Sequence, residues 1–117
     1  MSSRAEREAK GRRGEALAAW FLRFKGWRIV ARRVKTPRGE IDLIARRGKV
    51  VAFVEVKWRA SAAELDFAVD DFRLRRVYAA AAAVGHRFAG SGDEQRIDVV
   101  LLAPGRFPRH MANALLP

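Results

Sequence analysis

Residues 39–57 read GEIDLIARRGKVVAFVEVK, a stretch with the pattern of a β-hairpin. Two apolar segments flank a basic turn that contains a glycine, which is typical of two antiparallel strands. Four charged residues lie inside these segments: Glu40, Asp42, Glu55 and Lys57. A charged group in a buried strand is unfavourable unless it pairs or binds a metal. These residues therefore either lie at the solvent-exposed edge of a sheet or form a functional site.

The alternation of side chains along a strand places Glu55 and Lys57 on one face. A two-residue loop at 47–48 would set Asp42 opposite Phe53, on that same face. Asp42 would then be the diagonal neighbour of Glu55, roughly 7–8 Å away between backbones and within side-chain reach. A shift of the register by one residue would turn Asp42 to the other face, so the prediction depends on the turn.

Two carboxylates that converge repel each other unless a cation lies between them. Such oxygen ligands suit Mg²⁺ or Mn²⁺, which keep several waters and accept one or two protein carboxylates together with a substrate phosphate. Lys57 could orient a water molecule or neutralise charge that develops on a phosphate. The pattern predicts phosphodiester hydrolysis. The alternative is a Glu55–Lys57 ion pair on a solvated strand face, with Asp42 as a polar residue at the strand edge.

The rest of the chain predicts a single α/β domain over residues 1–117, with helices packed on a mixed sheet in the order α-β-β-β-α-β. The predicted elements are a helix over 4–25, strands over 27–34, 40–45 and 50–58, a helix over 70–84 and a strand over 96–103. Leu17, Trp20, Phe21 and Phe24 repeat at helical spacing and are predicted to face the core. We interpret 60–69 as a loop and the tail from residue 105 as a short helix.

The net charge is +11, and it is unevenly distributed. Residues 1–60 contain 17 basic and 6 acidic residues, whereas residues 61–117 contain 7 of each. A basic half favours a polyanionic partner such as DNA, RNA or an anionic membrane surface, and the alternative is solubilising charge from an arginine-rich proteome. The candidate phosphate contacts are Arg32, Arg33, Lys35, Arg38, Arg59 and Arg73.

Other classes of function are excluded by composition. The chain has no cysteine, so disulfides, thiol chemistry and a cysteine-based zinc site are ruled out. No apolar run approaches the roughly 20 residues that span a bilayer, and the first 15 residues lack the apolar core of a secretory signal. We expect a soluble cytoplasmic protein with no membrane partner. His86 and His110 are isolated and not expected to be catalytic, and we interpret Arg96 and Asp98 as a structural pair.

Four segments of the sequence carry a family resemblance: GRRGEALAAWFL near the start, RGEIDLIA, FVEVKWR and RIDVVLL. Together they resemble the YraN family of uncharacterised bacterial proteins, from Gly11 to about Leu102. The spacing D-x(12)-E-V-K on adjacent strands resembles the PD-(D/E)xK, or restriction-endonuclease-like, superfamily. Within that superfamily the YraN family is similar to archaeal Holliday-junction resolvases.

The resemblance implies a restriction-endonuclease-like fold and a Mg²⁺-dependent nuclease that acts on DNA. Asp42 and Glu55 would be metal-binding carboxylates, and the backbone carbonyl of Val56 would be a further ligand. Lys57 would be the catalytic lysine. Glu15 would be the helix glutamate that resolvase-like members add to the site.

Three functions remain open at this point. The first is a Mg²⁺- or Mn²⁺-dependent endonuclease for structured or single-stranded DNA. The second is a nucleic-acid-binding module that keeps the fold without cleavage, and the third is an interaction protein whose charge is incidental. Because resolving a junction requires two cuts, the first function would favour a homodimer.

Overall fold

Five strands form one mixed sheet with a helix on each face. The computed structural model describes residues 4–58 and 71–114, with side chains described from residue 12 in the first helix and from residue 74 in the second. The elements are α1 (Arg4–Phe24), β1 (Arg28–Thr36), β2 (Gly39–Arg47), β3 (Val50–Trp58), α2 (Asp71–Val84), a 3₁₀ turn (Gly85–Arg87), β4 (Glu94–Leu102) and β5 (Arg109–Met111). The predicted α-β-β-β-α-β order is confirmed. The predicted loop over 60–69 lies outside the described residues.

The strands lie side by side in chain order, from β1 to β5. The first three form an antiparallel meander, β4 is parallel to β3, and β5 is antiparallel to β4. The central strand β3 is buried from Val51 to Val54 because a helix covers each of its faces.

Each helix packs on its own hydrophobic cluster. On one face of the sheet, Leu74, Val77 and Ala81 of α2 pack over Ile44 and Phe53. On the other face, Ala18, Ala19 and Leu22 of α1 form a cluster with strand residues that include Leu43, Val54 and Val100. The alanines in both helices leave little side-chain volume between helix and sheet, so the backbones approach closely.

The prediction that Leu17, Trp20 and Phe24 face the core is wrong. Their exposed fractions are 42%, 65% and 82%, whereas Ala18 and Ala19 are fully buried. A methyl group added at Gly14 would be in contact with the Leu102 side chain at 3.5 Å, so α1 approaches the sheet closely at this residue, where small residues form its buried face. The large apolar residues are therefore turned away from the sheet.

The register of the β2–β3 hairpin also differs from the prediction. Arg47 pairs with Val50, so the two loop residues are Gly48 and Lys49 instead of 47–48. Gly48 has a φ of 61° at the first loop position, where a two-residue hairpin favours glycine. Phe53 consequently pairs with Ile44 and not with Asp42. The shift is two residues, so every side chain keeps its predicted face.

The tail was predicted to form a short helix, and this prediction is wrong as well. Residues Arg109–Met111 form β5 and pair with β4 along Val99, Val100 and Leu101. The backbone groups at this edge of β4 are therefore satisfied by a strand. Neither described helix is long and apolar enough to cross a bilayer.

Candidate active site

The candidate site lies where β2 and β3 separate. Within the described strands, their pairing ends at Leu43 and Val54, although both strands continue beyond these residues. At this fork Asp42 Oδ2 accepts a hydrogen bond of 2.8 Å from the backbone N–H of Val56. The Asp42 carboxylate thus takes the place of a backbone partner from the neighbouring strand.

Asp42 is held in an environment that disfavours its negative charge. Burial, followed by the negative charge of Glu55, raises the pKa of Asp42 to about 7, and the Val56 hydrogen bond opposes this effect. The charge of Glu15 raises the pKa of Asp42 further, as does a hydrogen bond with Glu55. The two neighbouring carboxylates therefore repel each other when both are charged, and Asp42 is the one whose charge is disfavoured.

Glu55 and Lys57 follow on β3 and lie on the same side of the fork. Lys57 Nζ is 2.8 Å from Glu55 Oε1, and the exposed fractions of the two side chains are 4% and 13%. The ion pair that the alternative interpretation predicted does exist, but it is buried beside Asp42 and not on a solvated face. A buried ammonium next to two carboxylates is typical of a functional site.

Glu15 reaches this region from α1, because the face of Ala18, Ala19 and Leu22 packs on the sheet. Its Oε2 accepts a hydrogen bond of 2.6 Å from Nε of Arg33, on β1. This bond and the Glu15 charge raise the pKa of Arg33. Arg33 has a φ of 50°, in the left-handed region that arginine rarely adopts. Arg33 was predicted to contact phosphate, and in the structure it pairs with Glu15 beside the site.

A concave pocket of about 260 Å³ opens at the fork. It is lined by Gly39, Glu40, Asp42, Glu55, Arg76 and Val77. Glu40, whose role the sequence left open, therefore faces the same space as the two carboxylates. Arg76 brings a positive charge from α2 to the opposite wall. The sequence analysis named Arg73 in this helix, but the Arg73 side chain lies outside the described residues.

The described carboxylates fit a hard divalent cation. Within 4–58 and 71–114, no three acidic or histidine side chains approach closely enough to hold a metal ion together. Mg²⁺ commonly takes only one or two protein carboxylates and completes its shell with water and substrate phosphate. Asp42 and Glu55 supply that number, and their mutual repulsion is the electrostatic condition that a cation relieves.

The remaining predicted nucleic-acid contacts are only partly described. Arg32, Lys35 and Arg38 are exposed on β1 and on its turn into β2. β1 is an edge strand, and the turn leads directly to Gly39 and Glu40 at the pocket. These three cations therefore form a basic margin beside the fork. Arg59 lies outside the described residues.

A second buried polar cluster surrounds Asp98, which is fully buried on β4. Asp98 accepts hydrogen bonds from Arg96 at 2.8 and 3.2 Å, from His110 Nε2 at 2.8 Å and from the backbone of Asn113 at 3.1 Å. Burial tends to raise the pKa of Asp98, but these bonds outweigh it and lower the pKa. The geometry favours the interpretation of Arg96 and Asp98 as a structural pair. The contact of His110 with Asp98 could not be predicted from the sequence, because it depends on the position of β5.

These elements define a class of protein. A mixed five-stranded sheet between two helices, in the order α-β-β-β-α-β, is the restriction-endonuclease-like fold. Among solved structures, the chain is similar to Archaeoglobus fulgidus Hjc, a Holliday junction resolvase from an archaeal hyperthermophile. The TM-score is 0.53 and the identity 21%, over 86% of this chain and 73% of that chain. At this identity the likeness shows the fold, and the predicted fold class is confirmed.

The chain belongs to the uncharacterised protein family UPF0102, the YraN family, whose model matches residues 14–102. It is 66% identical to a UPF0102 protein of Erythrobacter litoralis, over 94% of this chain and 95% of that protein. It is 58% identical to a UPF0102 protein of Sphingopyxis alaskensis, over 98% of this chain and 99% of that protein. The family resemblance of the sequence is confirmed.

Proposed function

We propose that the protein is a divalent-metal-dependent endonuclease that hydrolyses phosphodiester bonds in structured or single-stranded DNA. The observation that carries this proposal is the fork, where Asp42 and Glu55 line a polar pocket and the buried Lys57 pairs with Glu55. The resolvase-like fold and the basic N-terminal half support a nucleic acid as the substrate. A pure binding surface would gain nothing from buried carboxylates, because they repel phosphate unless a cation intervenes.

Asp42, Glu55 and the carbonyl of Val56 would hold the ion, Mg²⁺ or Mn²⁺. A divalent ion at this place supplies charge neutralisation at the phosphate and lowers the pKa of water. Lys57 places a buried positive charge where negative charge builds on the phosphate oxygens, and it orients the attacking water. Glu15 and Arg33 would set the charge balance at the α1 side of the pocket.

The test is a cleavage assay on labelled single-stranded, duplex, flapped and four-way-junction DNA, with Mg²⁺, Mn²⁺ or EDTA. Asp42→Asn and Lys57→Ala should each lower the rate by at least about 100-fold, as for the loss of a group that stabilises transition-state charge. Asp93→Asn is the matched control, since Asp93 pairs with Arg46 far along β2 from the fork. It should cleave like the unmodified protein.

Two results would overturn the proposal. Equal cleavage by Asp42→Asn would indicate a contaminating nuclease. Salt-sensitive binding without cleavage in any metal would establish the binding module instead.

If a four-way junction is the preferred substrate, a homodimer is expected, because two cuts need two sites. Sedimentation of the protein with and without junction DNA would test this.

A further inference from the structure

A large apolar groove lies between α1 and the ends of β3 and β4. It has a volume of about 580 Å³ and is lined by α1 and by the segment that follows β4. Its principal members are Leu17, Trp20, Phe21, Phe24, Trp58 and Phe107. We call this surface the aromatic groove. Neither the candidate active site nor the hydrophobic core accounts for the exposed members.

The rings of the aromatic groove are exposed to an unusual degree. Trp20, Phe24 and Phe107 have exposed fractions of 65%, 82% and 91%. The Trp20 and Phe24 rings stack on each other, with centroids 6.1 Å apart and an interplanar angle of 22°. Single exposed apolar residues are ordinary, but a contiguous group around a concave surface marks a binding site.

The border of the aromatic groove is basic. Arg13 lies one helical turn before Leu17 on the same face of α1 and is exposed. Arg106 lines the groove itself, and Arg23 is exposed between Trp20 and Phe24. The acidic residue of this part of the helix, Glu15, points toward the sheet and is held by Arg33. The charge around the groove therefore complements a polyanion.

We propose that the aromatic groove binds unpaired bases of a nucleic acid. The bases would stack on Trp20, Phe24 and Phe107, while the arginines at the border contact the backbone phosphates, the combination used for single-strand binding. A second copy of the chain would bring two sets of these arginines together, which like-charge repulsion disfavours. This proposal rests on the proposed function, because a nuclease for structured or single-stranded DNA would meet unpaired bases. α1 carries Glu15 toward the candidate site on one side and lines the aromatic groove with the other.

The test measures binding in EDTA, so that no cleavage is required. Fluorescence anisotropy would compare a labelled 15-nucleotide oligothymidine with a duplex of equal length, using the full chain. Trp20→Ala combined with Phe24→Ala, and separately Phe107→Ala, should weaken single-strand binding by at least about tenfold, as expected for lost stacking. Duplex affinity should stay within about twofold. Tyr78→Ala is the control, because Tyr78 is 60% exposed on α2, away from the groove.

A second measurement needs no destabilising change. Oligothymidine should quench the tryptophan fluorescence of the unmodified protein, and Trp20→Phe should lose the part of the quenching that comes from Trp20 while keeping the affinity, with Trp58 supplying the rest. Single-strand affinity that is unchanged in the alanine variants, or quenching unchanged in Trp20→Phe, would overturn the proposal. So would a dimer of the unmodified protein that the alanine variants convert to monomers without change in single-strand affinity. Selective single-strand binding without any metal-dependent cleavage would leave the groove in place and remove the nuclease.

Discussion

Two buried aspartates of the sheet have opposite electrostatic environments. Burial and the neighbouring charge of Glu55 outweigh the one backbone hydrogen bond that Asp42 accepts, so the pKa of Asp42 is raised to about 7. Asp98 is surrounded by donors from Arg96, His110 and Asn113, so its pKa is lowered. The same residue type therefore opposes folding at neutral pH in one place and supports it in the other.

Replacing Asp42 by Asn should stabilise the metal-free protein at high pH. A folded-state pKa of about 7, above the ordinary 3.8, contributes stability at low pH that is lost as the pH rises toward and through 7. Asn has no charge to lose, so the free energy of unfolding of the variant in EDTA at pH 8 should exceed that of the unmodified protein by roughly 2–4 kcal/mol. The difference should vanish near pH 4. Urea unfolding at both pH values measures it.

Asp98→Asn is the matched control. A lowered pKa contributes stability above pH 4, and the change leaves Arg96 without its counter-ion, so the variant should lose about 3 kcal/mol or more at pH 8. Mn²⁺ should stabilise the unmodified protein and Asp98→Asn but not Asp42→Asn, because only the last change removes a proposed ligand. If Asp42→Asn is destabilising at pH 8, the carboxylates are not crowded as described.

The sequence predicted which residues lie at the fork and the pairing of Glu55 with Lys57, but not the pairing of Glu15 with Arg33. Asp42, Glu55 and Lys57 could be found because strand alternation places their side chains independently of the rest of the fold. The Glu15–Arg33 pair could not, because it depends on a left-handed arginine on β1 and on how closely α1 approaches the sheet. No local pattern in the chain encodes either.

At the scale of the element, α1 has two apolar faces. One is formed by Ala18, Ala19 and Leu22, and it packs on the sheet. The other is formed by the large residues Leu17, Trp20 and Phe24, and it is exposed. Hydrophobic periodicity predicted the helix correctly but predicted the wrong buried face. The reason is that large apolar residues count for more in this pattern than alanines do. Whether a face approaches a sheet depends on small residues such as Gly14.

A pair of leucines within α1 tests this orientation. Leu22→Ala should lower the free energy of unfolding by about 2–5 kcal/mol, because Leu22 is 1% exposed and its removal leaves a cavity. Leu17→Ala should lower it by less than about 1 kcal/mol, because the side chain is already 42% exposed. Urea denaturation of both variants at one pH provides the comparison. A larger loss for Leu17→Ala would restore the predicted orientation.

The hairpin turn and β5 show the same limit. Arg47-Gly48 and Gly48-Lys49 are both plausible two-residue loops, and only the flanking strand contacts select between them. The three residues of β5 are too few to show an alternation, and their partners on β4 lie between 8 (Leu101↔Arg109) and 12 (Val99↔Met111) residues earlier in the chain. Such pairings are set by tertiary contacts and not by local sequence.

At the scale of the molecule, the net positive charge is concentrated in the N-terminal half, residues 1–60, which carries the fork. Arg32, Lys35 and Arg38 line the edge strand beside the pocket, and a polyanion that meets them displaces counterions. The logarithm of affinity should then fall linearly with the logarithm of salt concentration. The basic margin is expected to dominate this dependence for duplex DNA.

Arg38→Gln should therefore reduce the slope of log affinity against log salt by about 0.9 on duplex DNA, the value for one phosphate contact. Arg87→Gln is the control, because Arg87 is exposed in the 3₁₀ turn after α2 and its guanidinium lies 5.9 Å from the Phe88 ring. Its slope should match that of the unmodified protein. A titration in EDTA between roughly 50 and 200 mM salt gives all three slopes. Equal slopes for the two variants would remove Arg38 from the interface.

The fork itself has a consequence for how such a protein changes over generations. Backbone pairing between β2 and β3 ends at Leu43 and Val54. The Asp42 carboxylate lies in the gap between the two strands, where its charge is disfavoured. A neutral residue at position 42 that still accepts the Val56 hydrogen bond, such as Asn, would relieve that repulsion. Selection for thermal resistance alone should therefore erode Asp42 early, whereas selection for DNA cleavage should retain it. A library of variants at position 42, selected first for thermal stability and then for DNA cleavage, would show how far stability and catalytic activity compete at this position.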